Sequence, residues 1–149
     1  MATNPKSQSM VFAITSVMGS TKACAARGDA AWFRVLAEYY TMLAMAIHPA
    51  EGKFVKGMGD GTLLVFPEEK VGDAVAVLKA LHQDVTALWR AFDASCRFHV
   101  KIGRGTIVTG LLGAPGEERF DVVGDALNQL FKAKSEDLYI SPDVAALLT

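Results

Sequence analysis

Residues 52–66 read GKFVKGMGDGTLLVF, and this stretch predicts a tight β-hairpin. Two β-prone runs, residues 53–58 and 62–66, flank a Gly-Asp-Gly turn, which is a strong short-range hairpin signal. The carboxylate of Asp60 would lie at the tip, where its oxygens could bind a hard cation. Asp-Gly is also simply a good turn sequence, so this segment alone does not establish a metal site.

The segment before the hairpin predicts a buried strand followed by a helix. Residues 10–17 form a short, nearly continuous apolar run, which suits a strand covered on both faces. The run ends at a turn through residues 18–21, and Pro49 and Gly52 end the helical pattern that follows. Apolar residues at three- and four-residue steps mark one face of that helix: Trp32, Leu36, Tyr39, Leu43 and Ile47.

The segment after the hairpin alternates between helical and strand-like patterns. The cleanest helical periodicity in the chain runs through residues 71–92. The later elements follow in order: a half-buried strand at 98–102 that continues through 106–112, a Pro/Gly loop at 114–118, a strand at 120–123, a helix at roughly 125–134, a strand at 138–140, and a final helical turn capped by Ser141.

This order of elements predicts an α+β fold, with helices packed on a mainly antiparallel sheet. The length of 149 residues is that of one compact domain. We expect the domain to span residues 10–149, after a flexible N-terminal tail at residues 1–9.

Composition excludes several classes of function. Fifteen basic and 16 acidic residues give a net charge of -1, which is not the electrostatic footprint of a nucleic-acid-binding protein. Cys24 and Cys96 lie far apart and outside any Cys/His cluster, so we predict free thiols rather than a zinc site. The N-terminus has no signal-peptide core, and the apolar runs are too short to span a membrane. These features favour a cytoplasmic protein without a membrane partner.

Three segments, taken together, resemble class III adenylate and guanylate cyclases. They are FAITSVMGST at residues 12–21, the hairpin at 52–66, and DVVGDALNQLFK at 121–132, in the family's order. The resemblance implies the ferredoxin-like class III nucleotide cyclase fold. The family usually adds a C-terminal β-hairpin beyond this point, and we expect this domain to lack it.

The resemblance implies an altered metal site. The family holds two Mg²⁺ or Mn²⁺ ions with two carboxylates, and Asp60 matches the second of them. Ser16 occupies the position of the first, and a hydroxyl is a neutral, weak ligand for such ions. Residues 1–28 contain no Asp or Glu that could take its place. The chain is therefore identified as a degenerate member, in which any metal cofactor is uncertain.

The resemblance also assigns residues that bind the base and the phosphates of a nucleotide. Lys56 and Asp121 match the family's adenine-selecting pair, which favours ATP over GTP. If the two side chains approach each other, they would form a charge pair even without a nucleotide. Gly19, Ser20 and Thr21 match a turn that cradles phosphates at a helix start. We also expect an ordinary helix N-cap at these residues, which is compatible with phosphate binding.

Two residues of the third segment match catalytic positions. Asn128 corresponds to the residue that orients the ribose. Lys132, four residues later on the same helical face, replaces the arginine that stabilises charge in the transition state. Lysine keeps the charge but loses the planar fork that grips phosphate oxygens at two points.

Three functions remain open at this stage. The first is a catalytically impaired cyclase-like domain that binds a nucleotide or dimerises as a regulatory module. The second is an active adenylate cyclase, converting ATP to cyclic AMP and pyrophosphate with altered metal use. The third is a protein-interaction module without nucleotide. Because the family's active sites lie at a head-to-tail dimer interface, we expect a homodimer, or a heterodimer with another cyclase domain.

Overall fold

The chain folds as a six-stranded sheet with helices packed on both faces. The computed structural model describes residues 4–148. Its elements are β1 (Lys6–Met18), α1 (Ser20–Arg27), α2 (Asp29–Ile47), β2 (Lys53–Met58), β3 (Gly61–Pro67), α3 (Val71–Phe92), β4 (Arg97–Leu112), β5 (Arg119–Val123), α4 (Asp125–Lys132), β6 (Leu138–Ile140) and α5 (Pro142–Leu147).

The strands follow the order β2-β3-β1-β4-β5, and every neighbouring pair in this path is antiparallel. The short strand β6 lies off the path and pairs with β4 in parallel. This arrangement confirms the predicted α+β class with a mainly antiparallel sheet. Within it, β1 lies at the centre, so its C-terminal end at Met18 comes beside the β2–β3 hairpin.

Apolar residues on the two faces of the sheet form two separate cores. Helices α2 and α3 cover one face, where the largest fully buried side chains include Trp89 and Tyr39. Helix α4 covers the other face through Leu127 and Leu130. Alternate residues of β1 enter opposite cores, which explains its continuous apolar sequence.

The sheet begins earlier than the sequence predicts. Residues 6–9, assigned above to a flexible tail, are part of β1 and pair with residues 106–109 of β4. Gln8 adds a hydrogen bond from its Nε2 to Thr109 Oγ1 at 3.1 Å. Residues 6–9 are polar, so they give no apolar strand signal. They join the sheet through backbone hydrogen bonds, which do not depend on the side chains. Residues 1–3 of the predicted tail lie outside the described residues.

The sheet curls until its two edge strands approach each other. The Nζ atom of Lys53 on β2 lies 3.8 Å from the ring centroid of Phe120 on β5. A cation over an aromatic ring is attracted by the ring's quadrupole. This closure brings β2 and β5, which are distant in strand order, to the same side of the molecule. Among the helices of residues 4–148, none is both long and apolar enough to cross a bilayer.

Candidate functional site

The hairpin tip is joined to the end of β1 by the carboxylate of Asp60. Its Oδ2 accepts hydrogen bonds from the Val17 backbone N–H at 3.2 Å and from Ser20 Oγ at 2.7 Å. Ser20 is only 4% exposed, so its hydroxyl has little access to water. Asp60 therefore serves as an anchor between the hairpin and the turn before α1.

The side chains around Asp60 do not fit a site for two dications. Ser16, half-buried on β1, is the residue next to Val17 and contributes no charge. One oxygen of the Asp60 carboxylate already accepts two hydrogen bonds. Within residues 4–148, no group of three or more His, Cys, Asp or Glu side chains is placed to hold a metal ion. A neutral hydroxyl and one engaged carboxylate are a poor donor set for hard cations.

A chain of buried hydroxyl groups connects the hairpin tip to β1 and α2. Tyr39 donates from its hydroxyl to the Asp60 carbonyl at 3.0 Å, and the same hydroxyl lies 2.6 Å from Thr15 Oγ1. Thr15 in turn contacts Thr62 Oγ1. Because a carbonyl only accepts, the protons run in one direction, from Thr62 through Thr15 and Tyr39 to Asp60. Burial raises the pKa of Tyr39 well above its usual range, so this donor keeps its proton.

A second tyrosine fixes the preceding residue of the turn. Tyr40 donates from its hydroxyl to the Gly59 carbonyl at 2.6 Å. To reach it, the ring crosses β2 directly over Gly57, where a Cβ atom would lie 2.5 Å from Tyr40 Cζ. A glycine inside a strand often marks such a close approach. The hairpin tip is thus held through both of its backbone carbonyls and through the Asp60 side chain.

We expect Gly57→Ala to destabilise the chain, because the new methyl group would push the Tyr40 ring from its position. Overpacking of this kind costs about 1–3 kcal/mol of unfolding free energy. The control is Gly72→Ala, since a Cβ there has no neighbour within 4 Å and lies on α3. Urea unfolding measures both variants. Equal midpoints for the two variants would contradict the close packing over Gly57.

The turn between β1 and α1 contains the three residues predicted to cradle phosphates. Gly19 has a φ of +86°, and a Cβ there would lie 3.1 Å from the Ser95 carbonyl oxygen. No side chain caps the N-terminus of α1. Ser20 is occupied by its bond to Asp60, whereas Thr21 is exposed. The expected side-chain cap is absent, because the N-cap position is Gly19 and the Ser20 hydroxyl donates to Asp60 instead.

Lys56 and Asp121 meet across the two edges of the sheet. Lys56 Nζ lies 3.1 Å from Asp121 Oδ2, so the two side chains approach each other and form the charge pair. The Lys56 side chain is 57% exposed and that of Asp121 is 22% exposed, so a ligand can reach both. A bulge at Val55 shifts the register of β2, which turns Lys56 away from the face that carries Phe54. Regular strand alternation predicts Lys56 and Phe54 on one face, and the bulge shows that this prediction is wrong.

A groove of about 270 Å³ runs from Lys56 toward α4. Its walls are mainly apolar: Ile14, Met58, Leu63 and Phe131. Met58 and Phe131 are 88% and 53% exposed, and two such side chains lining one groove form the kind of apolar patch that marks a binding surface. A flat, apolar ring with polar edges is the kind of ligand that such a groove accommodates beside a charge pair.

The remaining two predicted residues lie on α4 and face solvent. Asn128 and Lys132 are both exposed, four residues apart, on the helix whose Phe131 lines the groove. The position of α4 is fixed by Lys101, which is 8% exposed and donates from Nζ to the carbonyls of Phe131 and Ala133 at 2.9 and 3.0 Å. Burial lowers the pKa of Lys101.

Sequence reasoning missed the residues that support the site rather than form it. Lys101 alternates with the apolar residues of the half-buried strand at 98–102, a pattern that predicts a solvated side chain. It is buried because it caps the last carbonyls of α4. The paired Tyr39 and Tyr40, together with the glycine inside β2, were the available signals for the contacts under the hairpin.

Comparison with known proteins identifies the fold. The sequence matches no family profile and no curated protein. Among solved structures, the adenylyl cyclase CyaB from P. aeruginosa superimposes with a TM-score of 0.86 at 18% identity, over 97% of this chain and 82% of that chain. The guanylate cyclase domain of RhGC from Catenaria anguillulae, in complex with GTP, gives a TM-score of 0.81 at 16% identity, over 97% and 84%.

A third similar structure is a class III adenylyl cyclase-like ATP-binding protein from Pseudomonas aeruginosa. It gives a TM-score of 0.77 at 16% identity, over 95% of this chain and 35% of that chain. At such identities the likeness shows the fold. The chain has the class III nucleotide cyclase fold, as the three sequence segments predicted.

Proposed function

We propose, from its class III cyclase fold, that this chain is a nucleotide cyclase-like domain that binds ATP and turns it over poorly or not at all. The observation that carries the proposal is the contrast between two parts of one surface. The Lys56–Asp121 pair is formed and open beside an apolar groove. The metal-binding position beside it has one carboxylate, and that carboxylate is engaged as an anchor.

The groove and the charge pair support recognition of adenine. Met58 and Phe131 offer apolar contact to the faces of a base, while Lys56 donates and Asp121 accepts at its edge. Adenine carries an amino donor where guanine carries an oxygen acceptor at the corresponding ring position. A carboxylate at this edge therefore favours ATP over GTP. One of the similar structures is described as a class III adenylyl cyclase-like ATP-binding protein, which is consistent with binding as a function of this fold.

Two features support impaired turnover. Replacement of a carboxylate by Ser16 removes a negative charge that two closely spaced dications require. Lys132 offers one point charge in place of the fork of an arginine. Exposed Asn128 and Lys132 still leave the chain able to contribute ribose and phosphate contacts.

The same surface supports a dimer. One groove is lined by three exposed side chains: Met58, Phe131 and Lys56. The helix that borders it, α4, carries exposed Asn128 and Lys132. This is the arrangement expected for half of a shared site. We propose a head-to-tail arrangement, in which a second copy or another cyclase domain covers this groove. In a heterodimer, a partner with both carboxylates would supply the metal ligands that this chain lacks.

We expect Lys56→Glu to weaken ATP binding by at least about tenfold, since it removes a charge-assisted donor and places a like charge beside Asp121. Isothermal titration calorimetry with ATP measures the effect. The matched control is Lys79→Glu, because Lys79 is exposed on α3, away from the groove. Equal affinities for all three chains, or a preference of the unmodified chain for GTP, would contradict the assignment.

A further inference from the structure

A polar cleft lies away from the candidate nucleotide site, between the end of α3 and the start of β4. It has a volume of about 410 Å³. Its walls include Arg90 from α3, Arg97 from β4 and Asp137 from the segment after α4. A cleft of this size is in the range of small-ligand sites.

The cleft has a net positive charge, since its walls carry two arginines and one aspartate. Arg90 and Arg97 are both exposed, and within residues 4–148 neither forms an ion pair. Asp137 is directed to His99, with 3.6 Å between Oδ1 and Nε2. Asp93 accepts hydrogen bonds from the hydroxyl and the backbone N–H of Ser95, a residue of the cleft wall, and these bonds lower the pKa of the Asp93 carboxyl.

The histidine in the wall is satisfied by the protein itself. His82 Nε2 lies 3.0 Å from the Phe98 carbonyl oxygen, and since a carbonyl only accepts, this nitrogen carries a hydrogen. Nδ1 faces the Thr86 hydroxyl at 3.4 Å. The groups left for a ligand are thus the two guanidinium groups, which bind phosphate and carboxylate oxygens in a planar, two-point geometry.

The cleft also touches both segments that lead into the candidate nucleotide site. The Ser95 carbonyl packs against Gly19, whose turn precedes Ser20 and its bond to Asp60. Arg97 pairs with Met18 in the sheet. On the other side, Asp137 belongs to the segment that follows α4. Helix α4 itself carries Asn128 and Lys132.

We propose that this cleft binds a small multivalent oxyanion, inorganic phosphate or a small phosphate ester, and that its occupancy changes nucleotide affinity at the Lys56 groove. The regulatory part rests on the proposed ATP binding, whereas the oxyanion site does not. The ligand contacts Arg90 and Arg97 with its charged oxygens. It acts on the nucleotide site through the Gly19 turn and the segment after α4.

Calorimetric titration of the full chain with inorganic phosphate, at constant ionic strength, tests the site. We expect one saturable site, weakened at least about tenfold in Arg90→Ala/Arg97→Ala, since two charge-assisted contacts are lost. The matched control is Arg34→Ala/Lys79→Ala, which removes two exposed charges outside the cleft and leaves the affinity within about twofold. Tighter binding of glycerol 3-phosphate than of phosphate would show that the ester group also contacts the cleft, whereas equal affinity would assign the site to the phosphate group alone; either supports the proposal.

Three results would overturn the oxyanion site: no saturable binding, equal losses in both double variants, or loss of phosphate binding in Lys56→Glu, which would place phosphate in the nucleotide groove.

The regulatory part is tested by titrating ATP with and without saturating phosphate. A shift in ATP affinity that disappears in Arg90→Ala/Arg97→Ala supports it, and an unchanged affinity overturns it. If ATP does not bind at all, the proposed function and the regulatory part fail together, while the phosphate titration still decides the oxyanion site.

Discussion

Ser16→Asp combined with Lys132→Arg is expected to produce cyclic AMP from ATP and Mn²⁺ at a rate at least about a hundredfold above that of the unmodified chain. Removing one preorganised hydrogen-bond donor from a reacting centre lowers kcat by roughly 10²–10³, and we expect restoration of a metal-binding carboxylate to have an effect of at least similar size. Residue 16 is next to Val17, whose N–H contacts Asp60 Oδ2 at 3.2 Å, so the new carboxylate lies beside the existing one. Two copies of this variant would together carry the family's full set of matching side chains.

The control for this gain is Ser16→Asn with the same Lys132→Arg change. Asparagine has nearly the size of aspartate but no charge, so it should leave the rate at the level of the unmodified chain. Product is measured by chromatography after incubation with ATP and Mn²⁺. A rate for the asparagine variant equal to that of the aspartate variant would show that the missing charge at position 16 is not the cause of low turnover.

Asp60→Ala is expected to lower the free energy of unfolding by about 3 kcal/mol, because two buried or half-buried donors lose their acceptor and each such loss costs about 1–3 kcal/mol. The donors are the Val17 N–H and the Ser20 hydroxyl. For a domain of this size, the change corresponds to a fall in Tm of about 6–12 °C. Thermal and urea unfolding measure it.

Two further variants separate anchoring from a general charge effect. Ser20→Ala removes only one of the two bonds and should cost about 1 kcal/mol. Asp84→Ala removes an exposed carboxylate on α3 and should leave the stability nearly unchanged. If Asp60→Ala were as stable as Asp84→Ala, the carboxylate would not be an anchor and would be free to bind a metal ion.

The sequence allowed most of the fold to be predicted, because apolar periodicity and turn residues report directly on burial. The hairpin around Asp60, the helix at residues 71–92 and the short strand at 138–140 are all present. The first strand was predicted too short, since the polar residues 6–9 join the sheet through backbone hydrogen bonds that leave no side-chain pattern.

The candidate site was less predictable, since its geometry depends on contacts between distant segments. The resemblance picked out Lys56 and Asp121 but left open whether they meet, and the structure places their charged atoms 3.1 Å apart. The bulge at Val55 and the burial of Lys101 could not be read from alternation, because each is set by a partner elsewhere in the chain. The proposed roles of Asn128 and Lys132 stay predictions.

The most direct test of the account is a single experiment on the unmodified chain, in which ATP binding and cyclic AMP production are measured on the same sample with Mn²⁺. We predict saturable ATP binding that Lys56→Glu weakens, with no cyclic AMP above the level of a protein-free control. Sustained cyclic AMP production by the unmodified chain, or no ATP binding, would contradict it.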